Sequence, residues 1–298
     1  MTVSNMNNDL SRIITPGYYE DDESVKELEI PLGVTEITDN AFRDFESIVS
    51  VRIPASVKRI GVCAFAGCRN LKSVSLSYGL TEIADEAFSS CSSLLGVNIP
   101  DSVKSIGEGA FEGCASIGSV KISESCEFIG SSAFAYCFNL SSVDIPDSCA
   151  TLEMCAFLCC FSLEWAKLSN NITLMSESLF EGCRMLKTVD LPTKLVKISG
   201  RCFKGCSSLD GIIIPYGTEY IGLDAFADCT SLSRIALPKK LLEIEDADVF
   251  GGCSSLGQIS FGGSSEDWEN IMRGRVISIR RDDSSVLVPK ITFMNLKE

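Results

Sequence analysis

The chain has 298 residues, 45% of them hydrophobic and 22% charged, a balance that excludes a disordered polymer. Lys+Arg 26 against Asp+Glu 40 gives a formal charge of −14, which disfavours nucleic acid and anionic membrane surfaces as partners. There is no histidine, so Ser-His-Asp and Cys-His nucleophiles, His-ligated metals and the commonest neutral-pH general base are excluded.

Residues 1–24 read as an N-terminal cap. They contain no basic segment leading into an apolar one, and no run in the chain approaches the ~20 apolar residues of a bilayer span. Two localisations stay open: a cytoplasmic protein, or one whose leader was removed ahead of Met1. Tyr19 stands 23 residues before Phe42, with Asp22 three residues on and Val25, Leu28 and Ile30 in phase. That is a degenerate first repeat with polar substitutions, as a solvent-facing terminal unit requires.

From residue 25 to 261 the chain repeats. Phe42, Phe65, Phe88, Phe111, Phe134, Phe157, Phe180, Phe203, Phe226 and Phe250 follow at eight intervals of 23 and one of 24. Three residues after nine of them stands a cysteine, from Cys68 to Cys253, and six residues after each stands Ile or Leu. Apolar pairs recur nine and eleven residues on, as in Val51/Ile53, Val97/Ile99 and Val143/Ile145, and often Pro follows. A further pair lies at fifteen and eighteen, as in Val57/Ile60.

Leu-x-x-Val-x-Ile ends in period-2 alternation and predicts a short strand with one face inward, closed by a proline that cannot donate onward. Ile60, Ala64, Phe65 and Cys68 share one face of a helical turn, which predicts a short helical or 3₁₀ segment. One unit cannot hide its own apolar side, so units stack. Strands pairing in parallel at ~4.8 Å would extend ten units over roughly 45–50 Å. Residues 262–298 break the period and predict a C-terminal cap, in which Trp268 covers the last core and Val276–Ile279, Val286–Val288 and Ile291–Phe293 form terminal strands.

The unit A-F-x-x-C-x-x-L-x-x-V-x-I-P resembles the BspA-like leucine-rich repeats, the Treponema pallidum type. Ala64-Phe65…Cys68…Leu71…Val74…Leu76 and Ala225-Phe226…Cys229…Leu232…Ile235…Leu237-Pro238 carry it. Leu179 and Cys202 replace the usual Ala, and Cys126 and Cys149 replace a Val. The resemblance implies an α/β solenoid, a right-handed horseshoe of 23-residue repeats with a concave parallel β-sheet. It also implies adhesion or host–microbe contact at a cell surface.

Fifteen cysteines invite disulfide or metal chemistry. Nine occupy one repeat position among apolar neighbours, where a thiol acts as a small hydrophobe, and the odd total favours free thiols and a reducing compartment. Of the others, only Cys155 and Cys159 beside Cys160 suggest metal or redox chemistry, and without a Cys-x-x-Cys pair they do not support zinc. No metal and no cofactor are expected. Asn139 and Asn171 begin sequons, which matter only in a secreted eukaryotic setting. Arg273, Arg275, Arg280 and Arg281 make a small basic spot that reads as a solvated cap.

The strand residues eight and ten after each Phe must face solvent. Most are small and polar, but Trp165 and Ile213 are not. An exposed Trp165 flanked by Lys121, Asp144, Lys167 and Asp190 has the makeup of an interface anchor with a charged rim. Arg234, Tyr216 and Tyr78 extend or edge the same face. Asp144 and Asp190 lie two repeats apart, roughly 9.6 Å by strand spacing. An open sheet with Lys167 between them offers no pocket to raise one pKa, so catalysis is not expected. The expected function is non-catalytic recognition of a protein, or of a glycan, on the concave face. The competing reading is an assembly protein that self-associates through its solenoid ends.

Overall fold

A computed structural model describes residues 13–16, 25–274, 276–277, 279–280 and 286–294. Tyr19 and Asp22, on which the degenerate first repeat was read, lie outside the described residues. The chain is a parallel β-solenoid of about ten turns with few helices. Strands of three or four residues recur once per turn, among them Ser50–Ile53, Ser119–Lys121, Ser142–Asp144, Trp165–Lys167, Thr188–Asp190, Gly211–Ile213 and Arg234–Leu237. Neighbours pair in parallel one repeat apart: Ser142 faces Trp165, Trp165 faces Thr188, and Gly211 faces Arg234. Val51, Ile53, Val97 and Val143 point inward and are buried, as the alternation requires.

A second parallel sheet runs along the other side of each turn. Its strands are two residues long, from Ile13–Ile14 and Glu36–Ile37 to Tyr220–Ile221 and Glu243–Ile244. Here the structure departs from the expected helical segment. Among the described residues only Ala247–Phe250, in the repeat carrying the extra residue, forms a 3₁₀ helix. Elsewhere the segment around each Phe is a run of turns, because the residues two before and two after it are left-handed. Cys63 (φ 54°) and Gly67 (φ 75°) flank Phe65, and Ser132 (φ 55°) and Tyr136 (φ 60°) flank Phe134. A helix cannot propagate through a left-handed residue at every fourth position.

The alternation divides the backbone amides into two sets. Ala64, Ala66 and Cys68 donate within the turn, to the carbonyls of Gly61, Cys63 and Phe65. Cys63, Phe65 and Gly67 instead donate forward to Asp85, Ala87 and Ser89 of the next repeat, at 3.0, 2.8 and 2.8 Å. The turns are therefore a third ladder along the solenoid. It satisfies the buried amides of each turn.

Inside, the ten phenylalanines stack ring on ring, with centroids 5.0–5.8 Å apart from Phe42 to Phe250. The nine column cysteines run beside them. Each thiol donates to the carbonyl of the Phe one repeat back, as Cys91 does to Phe65 at 3.2 Å and Cys183 to Phe157 at 3.1 Å. The column thus supplies a small apolar volume and a donor to an otherwise under-used carbonyl lone pair.

At the C-terminal end, helix Ser265–Met272 begins with a reciprocal capping box between Ser264 and Asp267. Trp268 lies against Phe261 at 5.4 Å, and Ile271 and Met272 are buried. Lys290–Phe293 adds a last parallel strand beside Gln258–Phe261. Ile279–Arg280 and Val286–Leu287 pair with each other antiparallel, so the terminal strands occupy slightly different residues from those expected.

Two outcomes follow from this core. Phe134→Ala removes a fully buried ring from mid-column and should cost about 3–5 kcal/mol in urea unfolding, whereas a loss below 1 kcal/mol would contradict the column. The second concerns pH. Burial holds the thiols of Cys137, Cys160, Cys183 and Cys206 well above the ordinary 9.0, and pushes Cys149 up to about 11. The folded state therefore keeps protons that the unfolded chain releases. Stability is fully present below about pH 9 and is lost as pH rises beyond it, by about 1.4 kcal/mol per pH unit for each such thiol. Urea midpoints should be flat from pH 6 to 8 and collapse near pH 10; a flat profile through pH 10 would contradict these buried protonated thiols.

Candidate functional site

The outward rows of the longer-strand sheet are placed by the register of the repeats. Asp144, Lys167 and Asp190 lie side by side on adjacent strands, and Trp165 stands two residues before Lys167 on the same face. Lys167 Nζ donates to Asp144 Oδ1 at 2.9 Å, and that hydrogen bond and charge raise the Lys167 pKa. The pair is solvent-exposed, so its contribution to stability is small. Lys121 Nζ lies 3.9 Å from Asp101, one repeat back.

Lys121, Asp144 and Lys167 share the rim of one depression of about 420 Å³, completed by Val120, Ile122, Glu124, Pro146 and Asp147. Asp147 also accepts from the Asn170 amide at 2.8 Å, which fixes the loop edge of this depression. The site is open and mixed in charge. It suits recognition of polar groups by shape and charge, and excludes water poorly.

Trp165 differs from expectation: it is half-buried rather than exposed. Ile213 does project, at 78% exposure, beside Ala236 in register. Tyr216 is exposed, and Lys240 Nζ sits 5.4 Å from its ring centre. The Arg234 side chain lies over Gly211 of the neighbouring strand, where a Cβ would come within 3.2 Å of Arg234 Cγ and Nε. The structure therefore gathers Lys121, Asp144, Lys167, Trp165 and Asp190, and sets Ile213, Arg234 and Tyr216 further along the solenoid, Ile213 and Arg234 on the next four-stranded sheet. Arg273 ends the C-terminal helix in a left-handed conformation and is exposed, whereas Arg275 and Arg281 lie outside the described residues.

One set of residues escaped the sequence reading. Tyr136, Phe138 and Met185 are exposed on the turn side, away from the sheet. A signal for them existed, since they break the composition of their repeat positions. These positions lie in the turns, outside the period-2 strand pattern that marks outward-facing residues.

Residues 12–140 and 127–257 match the family described as BspA type leucine rich repeat region, in six copies. Among solved structures, the T. pallidum leucine-rich repeat protein is 30% identical over 66% of this chain and 82% of its own, with a TM-score of 0.50. A leucine-rich repeat protein from Bacteroides ovatus is 25% identical over 95% of this chain and 87% of its own, with a TM-score of 0.49. A leucine-rich cell surface protein from Faecalibacterium prausnitzii is 24% identical over 82% and 90%, with a TM-score of 0.43. No curated protein matches the sequence. With the repeat motif, the solenoid and this match spanning most of its length, the chain belongs to the BspA-type leucine-rich repeat family.

Proposed function

We propose that the chain is a non-catalytic binding module that engages a protein partner through the outward face of its longer-strand sheet. A glycan is the second ligand class, and contact at a cell surface is the setting the family suggests. The fold itself is that of a repeat binding scaffold. The observation that carries the reading is Ile213: a large apolar side chain, 78% exposed, on a strand held in register against Arg234–Leu237. Such an anchor is already ordered before a partner arrives, so docking does not have to immobilise it. The charged row of Lys121, Asp144, Lys167 and Asp190 supplies register and steering more than affinity. The half-buried Trp165, two residues before Lys167 on the same strand, adds an apolar edge to the charged row.

Capture from host-cell extract with the wild-type chain, Ile213→Asp and Lys167→Glu tests this. Ile213→Asp should weaken the captured partner's affinity by about 2 kcal/mol, some thirtyfold, with the circular dichroism and melting temperature unchanged. Lys167→Glu should act mainly on the association rate and its salt dependence. Equal capture of the same partner by all three chains would remove this face from consideration.

A further inference from the structure

The repeats serve as one another's control. Four residues after each core Phe, most turns carry Ser, Thr, Ala, Glu or Arg, but two consecutive turns carry Phe138 and Phe161. Five residues after, the next turn carries Met185 where the others have Ser or Asn. Two residues after, Tyr136 replaces the Gly, Ser, Asp or Cys found elsewhere. None of these serves the core, whose columns are complete without them.

They form one surface strip on the turn side. Phe138 and Phe161 stack at 4.8 Å with an interplanar angle of 6°, and the Arg184 guanidinium covers the far face of Phe161 at 4.6 Å. Tyr136 meets Phe138 edge to face at 6.3 Å. Tyr136 holds φ 60°, a left-handed conformation in which a bulky side chain is strained and for which five of the other turns supply glycine. A strained aromatic kept at the surface, with nothing to gain in the core, points to a role outside folding.

The strip has an acidic flank. Glu86 and Glu112 converge over Gly109, where a Cβ would lie 3.2 Å from Glu112 Oε2 and 3.4 Å from Glu86 Cγ. Glu108 belongs to the same group: burial first, then the charges of Glu86 and Glu108, raise the Glu112 pKa. The Gly113 amide donates to the Ala135 carbonyl at 2.9 Å, which sets Glu112-Gly113 beside Ala135-Tyr136 of the next repeat, so carboxylates and rings adjoin. Among the described residues none of these three glutamates forms an ion pair.

We propose that this strip is a second docking surface, distinct from the sheet face, for a peptide segment of another protein that carries both Arg or Lys and large apolar side chains. The rings of Tyr136 and Phe138 and the Met185 side chain take the apolar residues. The three glutamates, uncompensated on a chain of charge −14, take the cations, and the Tyr136 face offers them a cation–π contact. The inference does not rest on the sheet-face reading and survives its failure.

The test uses synthetic peptides alternating Arg with Leu, Arg with Ser, and Glu with Leu, titrated into the full chain by calorimetry. The Arg/Leu peptide should bind most tightly. Phe138→Ser should weaken it by about tenfold or more and Glu112→Gln by a few-fold. Tyr136→Gly should also weaken binding while raising the melting temperature, because it relieves the left-handed strain. That opposition separates a binding residue from a structural one. The proposal is overturned by no binding, by equal binding of the Arg/Leu peptide to wild type and Phe138→Ser, or by Glu/Leu binding as well as Arg/Leu. Sedimentation showing that Phe138→Ser dissolves a wild-type dimer would also overturn it, since the occupant would then be a second copy of the chain.

Discussion

In each of the eight turns from Phe42 to Phe203, three amides reach forward to the next repeat: the Phe amide itself and those two residues to either side. For Phe65 these bonds end on Asp85, Ala87 and Ser89. They lock one repeat over the next at a separation of 22 residues in donor and acceptor, which places every residue above its counterpart one repeat along. Both parallel sheets carry the same constraint, and each residue class then forms a column. Ring lies on ring, thiol beneath carbonyl, charge beside charge. Exposed ion pairs one repeat apart, such as Lys187 with Glu164 at 2.9 Å, are consequences of the register and too weakly stabilising to set it.

The left-handed positions are what this ladder costs. A non-glycine residue there is unfavourable by roughly 1–2 kcal/mol, yet Cys63, Glu86, Ser132 and Asp224 all accept it. Each of those eight turns returns three inter-repeat hydrogen bonds and a buried phenylalanine, which together outweigh the strain. Where the spacing grows to 24 the register has to absorb one residue, and it does so locally. The 3₁₀ turn Ala247–Phe250 takes up the extra residue and the Phe226–Phe250 stack survives at 5.8 Å.

Much of this was legible in the sequence, for a physical reason. A solenoid buries the same positions in every turn, so Phe65, Cys68, Leu71, Val51 and Ile53 announce themselves by recurrence, and the strands came out where the alternation put them. The turn segment was misread as helical because Ile60, Ala64, Phe65 and Cys68 mimic a helical stripe. The side chains that permit left-handed turns, Asn40, Asp44, Ser90 and Gly113 among them, vary too much in type to be seen as one class. The site was legible only as a face. Which strand positions look outward follows from period two, but whether a side chain there stands or lies is decided by its neighbours. Ile213 is largely exposed and Trp165 is half-buried. Tyr136 and Phe138 were missed although their columns mark them, because recurrence draws the eye to what repeats rather than to what departs from it.

Native-state amide hydrogen exchange reads the turn ladder residue by residue. If the turns are part of the register, the Phe111, Phe134 and Phe157 amides, bonded forward to Ala133, Ala156 and Leu179, should exchange as slowly as the strand amides of Val143 and Ala166. Exchange at those phenylalanines as fast as in an open loop, with the strands still protected, would show that the sheets alone hold the repeats together and would contradict this account.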